Sequence, residues 1–257
     1  MTKRVLNSTR FRERLGAGEP MLGTFVKFPT SQGIEILGSE GFDFVVIDAE
    51  HAPLDRTQID LMILAARAVG MSPIVRVGTP DQILGALDCG ADGVMVPHVR
   101  SAAEAEAIAA ACRYAGGARG FAGLTRAGGW GARKANDHMD FQDDNVVCIA
   151  MIEDPEAVEC VDAIAATDGI HALFVGRGDL SASFGRDPDA AAKVATMSER
   201  VAKGAADAGK PLLMLATSTK DAADMRNLGV KALLVSSDHA MLKSAAAGLF
   251  KEYTGAQ

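Results

Sequence analysis

The sequence predicts an α/β fold, a closed (β/α)₈ TIM barrel built as a single domain over residues 1–257. Three observations carry that expectation. The chain has 257 residues, against about 250 for a typical barrel of this kind. Eight short runs rich in Val, Ile and Leu recur along it, nearly continuous in apolar residues, as parallel strands buried on both faces should be. Between them lie Ala-rich segments with apolar residues at three- and four-residue spacing, the period of an amphipathic helix.

The first run, MLGTFVKF from Met21, leads into KFPTSQG. A G-x-G-x-x-G turn there would have favoured the alternative, an open doubly wound sheet. The second run is DFVVIDAEH from Asp43, and the helical segment LDRTQIDLMILAARAVG after it ends on Gly70. PIVRV from Pro73 and DGVMVPHV from Asp92 follow, with Gly90 closing the helix between them. SAAEAEAIAAACRYAGG then runs to Gly116. Residues 116–145, Gly-rich and then polar, are longer than an ordinary connection, and in a compact barrel such a loop is expected to cover the active site. VVCIAMIED from Val146, HALFVGRGD from His171, PLLMLATS from Pro211 and KALLVSSDH from Lys231 complete the set, with helix ends at Gly209 and Gly229. Glycine suits each of these C-caps because it enters the left-handed conformation without a Cβ penalty. The final segment, HAMLKSAAAGLFKEY, carries one apolar stripe and can dock on its own barrel or on a neighbour's.

Composition narrows the function. Hydrophobic residues at 48% and charged residues at 23% exclude a disordered chain. The net charge of −7, with no basic patch, repels a phosphate backbone and points away from nucleic acid. Cys89, Cys112, Cys148 and Cys160 stand far apart, without the spacing of a zinc ribbon or a disulfide framework. No run approaches the roughly 18 apolar residues of a membrane span, and MTKRVLNSTRFRERL lacks the apolar core of a signal peptide. A cytoplasmic protein acting on small molecules is expected.

In a barrel of this type the functional groups sit at the C-terminal ends of the strands. Those ends offer Lys27; Asp48, Glu50 and His51; Arg76; Pro97 and His98; Glu153 and Asp154; Arg177 and Asp179; Thr217 and Ser218; Asp238 and His239. The strand starts are plainer. Glu153 and Asp179 end consecutive strands, and strands lie about 4.8 Å apart, so the two carboxylates can share a hard cation such as Mg²⁺ or Mn²⁺. Helix capping is the plainer role for Asp179. In GRGD, Gly176 to Asp179, glycine and a helix start suit an anionic ligand group. Arg76 can stabilise an oxyanion or pair with a rim acid. His51, in D-A-E-H, is the proton-transfer candidate because histidine titrates near neutrality. His98, His138, His171 and His239 lack a comparable setting.

The ordered set D-A-E-H-A-P, V-R, L-D-C-G, V-P, I-E and G-R-G-D-L-S resembles the HpcH/HpaI family, metal-dependent 4-hydroxy-2-oxoacid aldolases of the phosphoenolpyruvate/pyruvate barrel superfamily. The resemblance runs from Gly23 to the last helix. It implies a class II aldolase that cleaves or forms 4-hydroxy-2-oxo acids, giving pyruvate or a close 2-oxo acid plus an aldehyde through an enolate. By the same resemblance, Glu153 and Asp179 hold the divalent metal, with Co²⁺ also accommodated, and Asp48 and Glu50 organise its waters. His51 moves the proton, Asp88 raises its basicity, and Arg76 steadies the enolate. The backbone of Gly178 and Asp179 binds the pyruvate carboxylate. Arg126 and Trp130, in TRAGGW, stand near the distal end of the substrate. Homo-oligomers are implied too, hexamers assembled as trimers of dimers in which the C-terminal helix is exchanged between subunits.

Two positions depart from the family pattern. Met151 replaces the usual Gln two residues before the metal-binding Glu, and Arg177 replaces the Pro of G-P-x-D-L-S. A thioether removes a polar contact to substrate. The added guanidinium can read a second anionic group or fold into a salt bridge. Three rivals remain at this stage: a Schiff-base aldolase using Lys27, a lyase acting on a CoA ester, and a barrel that binds a 2-oxo acid without catalysis.

Overall fold

A computed structural model describes residues 9–255. Eight parallel strands close into a barrel in sequence order: β1 (Met21–Val26), β2 (Phe44–Asp48), β3 (Ser72–Arg76), β4 (Gly93–Val96), β5 (Val147–Ile152), β6 (Ala172–Val175), β7 (Leu212–Ala216) and β8 (Ala232–Ser237). The helices are α1 (Thr9–Gly16), α2 (Ser31–Ser39), α3 (Arg56–Ala68), α4 (Ile83–Asp88), α5 (Ala102–Cys112), α6 (Ala135–Asn145), α7 (Pro155–Glu159), α8 (Val161–Ala166), α9 (Arg177–Ser183), α10 (Ala190–Asp207), α11 (Thr219–Asn227) and α12 (Asp238–Thr254). Gly70, Gly90, Gly116, Gly209 and Gly229 all take positive φ.

Period-two alternation divides each strand between two cores. Val45, Ile47, Val75, Val94, Cys148, Ile152 and Leu173 belong to the core under the helices. Phe25, Phe44, Val46, Ile74, Met95, Ile149, Met151, Phe174 and Leu234 fill the interior. Gly23 makes room for that filling, since a Cβ there would lie 2.5 Å from the Phe44 ring. Helix α1 stoppers the lower end: Phe11 and Leu15 join the interior core, and the Phe11 ring stacks at 5.3 Å on Phe44. An interior so filled and closed below leaves the upper rim for a ligand.

The segment 116–145 does not cover the cavity of its own chain. Residues 135–145 form α6, which packs on α1 near the lower end, and no residue of 116–145 lines the cavity at the upper rim. Helix α6 escaped the apolar-period reading because its buried positions are His138 and Gln142. Helix α12 buries none of its residues. Beside it Leu22, on the outer face of β1, is 37% exposed, and with Leu233 and Val235 of β8 and Ala222 and Arg226 of α11 it lines an open groove that runs from β1 across β8 to α11.

Candidate active site

Continuing each inward row past its last apolar residue puts polar groups on the rim. Phe25 is followed by Lys27, Val46 by Asp48, Ile74 by Arg76, and Met151 by Glu153. Lys27, Arg76 and Glu153 line a cavity of about 430 Å³ with an apolar floor of Phe25, Met151, Phe174 and Leu215. Asp48 is fully buried. It accepts two hydrogen bonds from Arg76, Nε to Oδ1 at 2.9 Å and Nη2 to Oδ2 at 2.6 Å, and one from the His51 backbone N–H at 3.2 Å. The Lys27 Nζ lies 3.1 Å from the same Oδ2. Burial would raise this carboxyl, but the Arg76 hydrogen bonds and charge, with the His51 and Lys27 donors, outweigh it and hold the acid below its ordinary range. Arg76 also reaches Glu50, Nη1 to Oε2 at 3.2 Å, and lies 4.8 Å over the Phe25 ring. The guanidinium is therefore both a salt-bridge partner and part of the cavity wall.

Glu153 is 2% exposed, and its Oε1 accepts the His98 backbone N–H at 2.9 Å. Burial, reinforced by the charges of Asp179 and Glu50, pushes its carboxyl up to about 7 despite the His98 contacts. Asp179 stands in the first turn of α9 rather than at a strand end, and lines the same cavity. Gly176 is required beneath them, because a Cβ would fall 2.4 Å from both Cβ and Oε2 of Glu153. Among the described residues no three His, Cys, Asp or Glu side chains form a metal cage. A buried carboxyl met by no Lys or Arg, only by the His98 ring at 3.7 Å, and beside a second acid, is the donor set of a hard cation that keeps several waters. The residues fit such an ion.

His98, passed over in the sequence, belongs to this cluster. Its φ of 53° is left-handed, which turns its N–H onto Glu153. Its ring Nδ1 lies 3.0 Å from Asp154, and Nε2 lies 4.0 Å from Glu50. Burial opposes protonation of the ring, but the Asp154 hydrogen bond and the charges of Glu153, Asp154 and Glu50 prevail and raise its pKa. Arg100 holds the outer side of Asp154 at 3.1 Å. The only sequence signal for this group was the position of His98 after V-P at a strand end.

Other expected residues divide. His51 lines the cavity, half-exposed, with Nε2 3.6 Å from Glu50 Oε2. The carboxylate of Asp88 faces Arg119 Nη2 at 3.6 Å instead of His51, and burial raises it against Arg119 and Arg56. Arg126 grips Asp60 at 2.7 Å and stands 5.8 Å from the Trp130 ring, and neither residue lines the cavity of its own chain. Arg177 is committed to Asp221, at 2.9 and 2.6 Å, and to the Leu215 carbonyl at 2.8 Å. That is the salt-bridge outcome. Gly178 has open space around its Cα and lines the cavity with Met151.

The chain resembles known proteins over nearly its whole length. Residues 21–245 match the family described as HpcH/HpaI aldolase/citrate lyase. The chain is 34% identical over 244 residues to a 2-dehydro-3,6-dideoxy-6-sulfogluconate aldolase of Pseudomonas putida, covering 92% of this chain and 93% of the other. It is 32% identical to a pyruvate aldolase of Rhizobium etli, with 90% and 92% covered. The crystal structure of an HpcH/HpaI aldolase/citrate lyase family protein from Burkholderia cenocepacia superposes with a TM-score of 0.89 at 31% identity, covering 95% of this chain and 99% of that one.

Proposed function

The chain belongs to the HpcH/HpaI aldolase/citrate lyase family and is a carbon–carbon lyase; from that premise we propose that it is a class II aldolase acting on 4-hydroxy-2-oxo acids, with pyruvate or a close 2-oxo acid as one product. The observation that carries the metal-dependent reading is Glu153, a buried carboxyl that meets no Lys or Arg, only the His98 ring at 3.7 Å, and has a second acid beside it. Mg²⁺ or Mn²⁺ held by Glu153 and Asp179 would supply Lewis-acid polarisation of the 2-oxo group. The N–H groups of Gly178 and Asp179, at the start of α9, suit the substrate carboxylate.

The remaining work falls to the chain's own side chains. Arg76, locked in a plane by two hydrogen bonds to Asp48, presents fixed positive charge where oxygen gains electrons. Its orientation costs no reorganisation during the reaction. His51, whose imidazole meets Glu50, takes or returns the proton of the C4 hydroxyl. Asp88, Arg126 and Trp130 serve a neighbouring subunit's site in an assembly where α12 crosses to the partner. Two features support such exchange: the open β8–β1 groove, and the absence of buried residues on α12. Four unpaired cysteines, three of them buried, support a cytoplasmic setting.

Lys27 does not suit Schiff-base chemistry. Its Nζ is 3.1 Å from the buried Asp48, the opposite of the carboxylate-free, desolvated setting that frees an amine. The test is a panel of aldehydes with pyruvate, with and without a divalent cation. Carbon–carbon bond formation that stops on chelation and returns with Mg²⁺ or Mn²⁺ is expected. Full turnover in excess EDTA, or a borohydride-trapped pyruvyl adduct on Lys27, would overturn the assignment.

A further inference from the structure

We propose that the Lys27 ammonium and the Ser236 hydroxyl, at the adjoining ends of β1 and β8, form a subsite for a second oxyanion on the substrate, at the end remote from the 2-oxo acid. The oxyanion class is a carboxylate, sulfonate or phosphate. The proposal rests on the reading that a 2-oxo acid head binds at Glu153, Asp179 and Gly178. In a closed ring of eight strands β1 lies opposite β5, so Lys27 faces Glu153 across the mouth of one cavity, which both line.

Lys27 is a cation with donors to spare. Asp48, its neighbour, is already satisfied by Arg76 and by the His51 N–H. An ammonium carries three N–H donors, and Asp48 accounts for one. Arg177, another cation on this cavity, spends three of its five N–H donors on Asp221 and the Leu215 carbonyl. Arg76 is split between Asp48 and Glu50 and is almost fully buried. The base of Lys27 is also fixed: its backbone N–H is held by both oxygens of Asp238 at 3.0 Å, and the Phe28 N–H joins at 2.8 Å. Those bonds, with the one from the His239 N–H, occupy the Asp238 carboxylate as well.

Ser236 supplies the second observation. The β1–β8 register slips between Gly23, opposite Leu234, and Phe25, opposite Ser237, which leaves an extra residue on β8. Ser236 in that bulge has a φ of 59°, a left-handed conformation that glycine would adopt without strain. Bulges next to functional sites re-aim a side chain, and this one puts a serine, where glycine would carry no hydroxyl, at a position lining both this cavity and the outer groove. Its one internal hydrogen bond is long, 3.4 Å to the Ser237 carbonyl.

The experiment compares two ligands on the full Mg²⁺-loaded protein by calorimetry. 2-Oxoglutarate and 2-oxopentanoate share the 2-oxo acid head and chain length, and differ in a terminal carboxylate. The wild type should bind 2-oxoglutarate about tenfold or more tightly than 2-oxopentanoate, as one charge-assisted hydrogen bond allows. In Lys27→Met that ratio should collapse to about one, and Lys27→Arg should restore most of it. Ser236→Ala, which leaves the Asp48 pair untouched, should lower it roughly two- to fivefold. Equal wild-type affinities, or a ratio unchanged in both Lys27→Met and Ser236→Ala, would overturn the subsite. Metal-dependent binding of 2-oxopentanoate reports separately on the 2-oxo acid site, and parallel assays of aldol cleavage report on the reaction. A preserved ratio without cleavage of any substrate would remove the aldolase reading and leave the subsite standing.

Discussion

Arg76 shows how a single side chain is legible in kind but not in role. Its place at a strand end follows from the sequence, which left oxyanion donor and salt bridge as alternatives. The inward row of β3 makes it a salt-bridge partner that also lines the cavity, because the group that orients the guanidinium is the buried Asp48. Arg76→Met should therefore fail twice: turnover should fall about 10²–10³-fold, and stability should fall by roughly 3–5 kcal/mol as Asp48 is left buried with Lys27 alone. Steady-state kinetics alongside chemical denaturation checks both; a kinetic loss at full stability would mean that Asp48 does not depend on Arg76. Gly176→Ala tests the neighbouring strand. Its Cβ would meet Glu153 at 2.4 Å, so Mg²⁺ affinity should drop by about tenfold or more while the circular dichroism spectrum is kept. Unchanged metal binding would show that the Glu153 side chain can move aside. His98 was not legible, because its meaning lies in Glu50, Glu153 and Asp154, which only the barrel brings to it.

Elements whose signal is local were readable. The eight strands and the glycine-ended helices follow from short windows of sequence, and each predicted C-cap glycine has positive φ. Helix α6 was not readable, since polar residues occupy its buried positions and the apolar period vanishes. The junction of β5 and β6 adds a pH dependence of the same hidden kind. His171 Nδ1 accepts the Cys148 N–H at 3.0 Å, and burial, helped by the charges of Arg12 and Lys210, pushes its pKa down to about 3. An unfolded histidine titrates near 6.5, so the stabilisation is complete above that pH. As pH falls from about 6.5 towards 3, the unfolded chain gains a proton that the native chain refuses, and stability falls by up to a few kcal/mol. Urea midpoints at pH 7 and pH 5 should therefore separate more for the wild type than for His171→Gln. Equal separations would show that His171 is not the acid-sensitive group at this junction.

At the scale of the molecule, strand order, the closed lower end and the polar rim form one design that the strand count foreshadowed. The partners that Asp88 and Arg126 take within the chain, Arg119 and Asp60, were not foreshadowed, because only the folded barrel brings those side chains together. Leu242, Leu249, Phe250 and Tyr253 of α12 are all more than half exposed. If α12 crosses to a partner, Leu249→Glu with Phe250→Glu should shift sedimentation towards the monomer and lower activity at dilute protein. A variant sedimenting like the wild type would place those side chains outside any contact. The bare strip of barrel wall beside Leu22, Leu233 and Val235 also bears on cells that carry several related chains. Under the exchanged arrangement each groove is matched to one helix, so residues on the two surfaces drift together within a lineage. Sister enzymes whose two surfaces had drifted apart would then cease to co-assemble, and the seam alone would keep their subunit pools from hybridising.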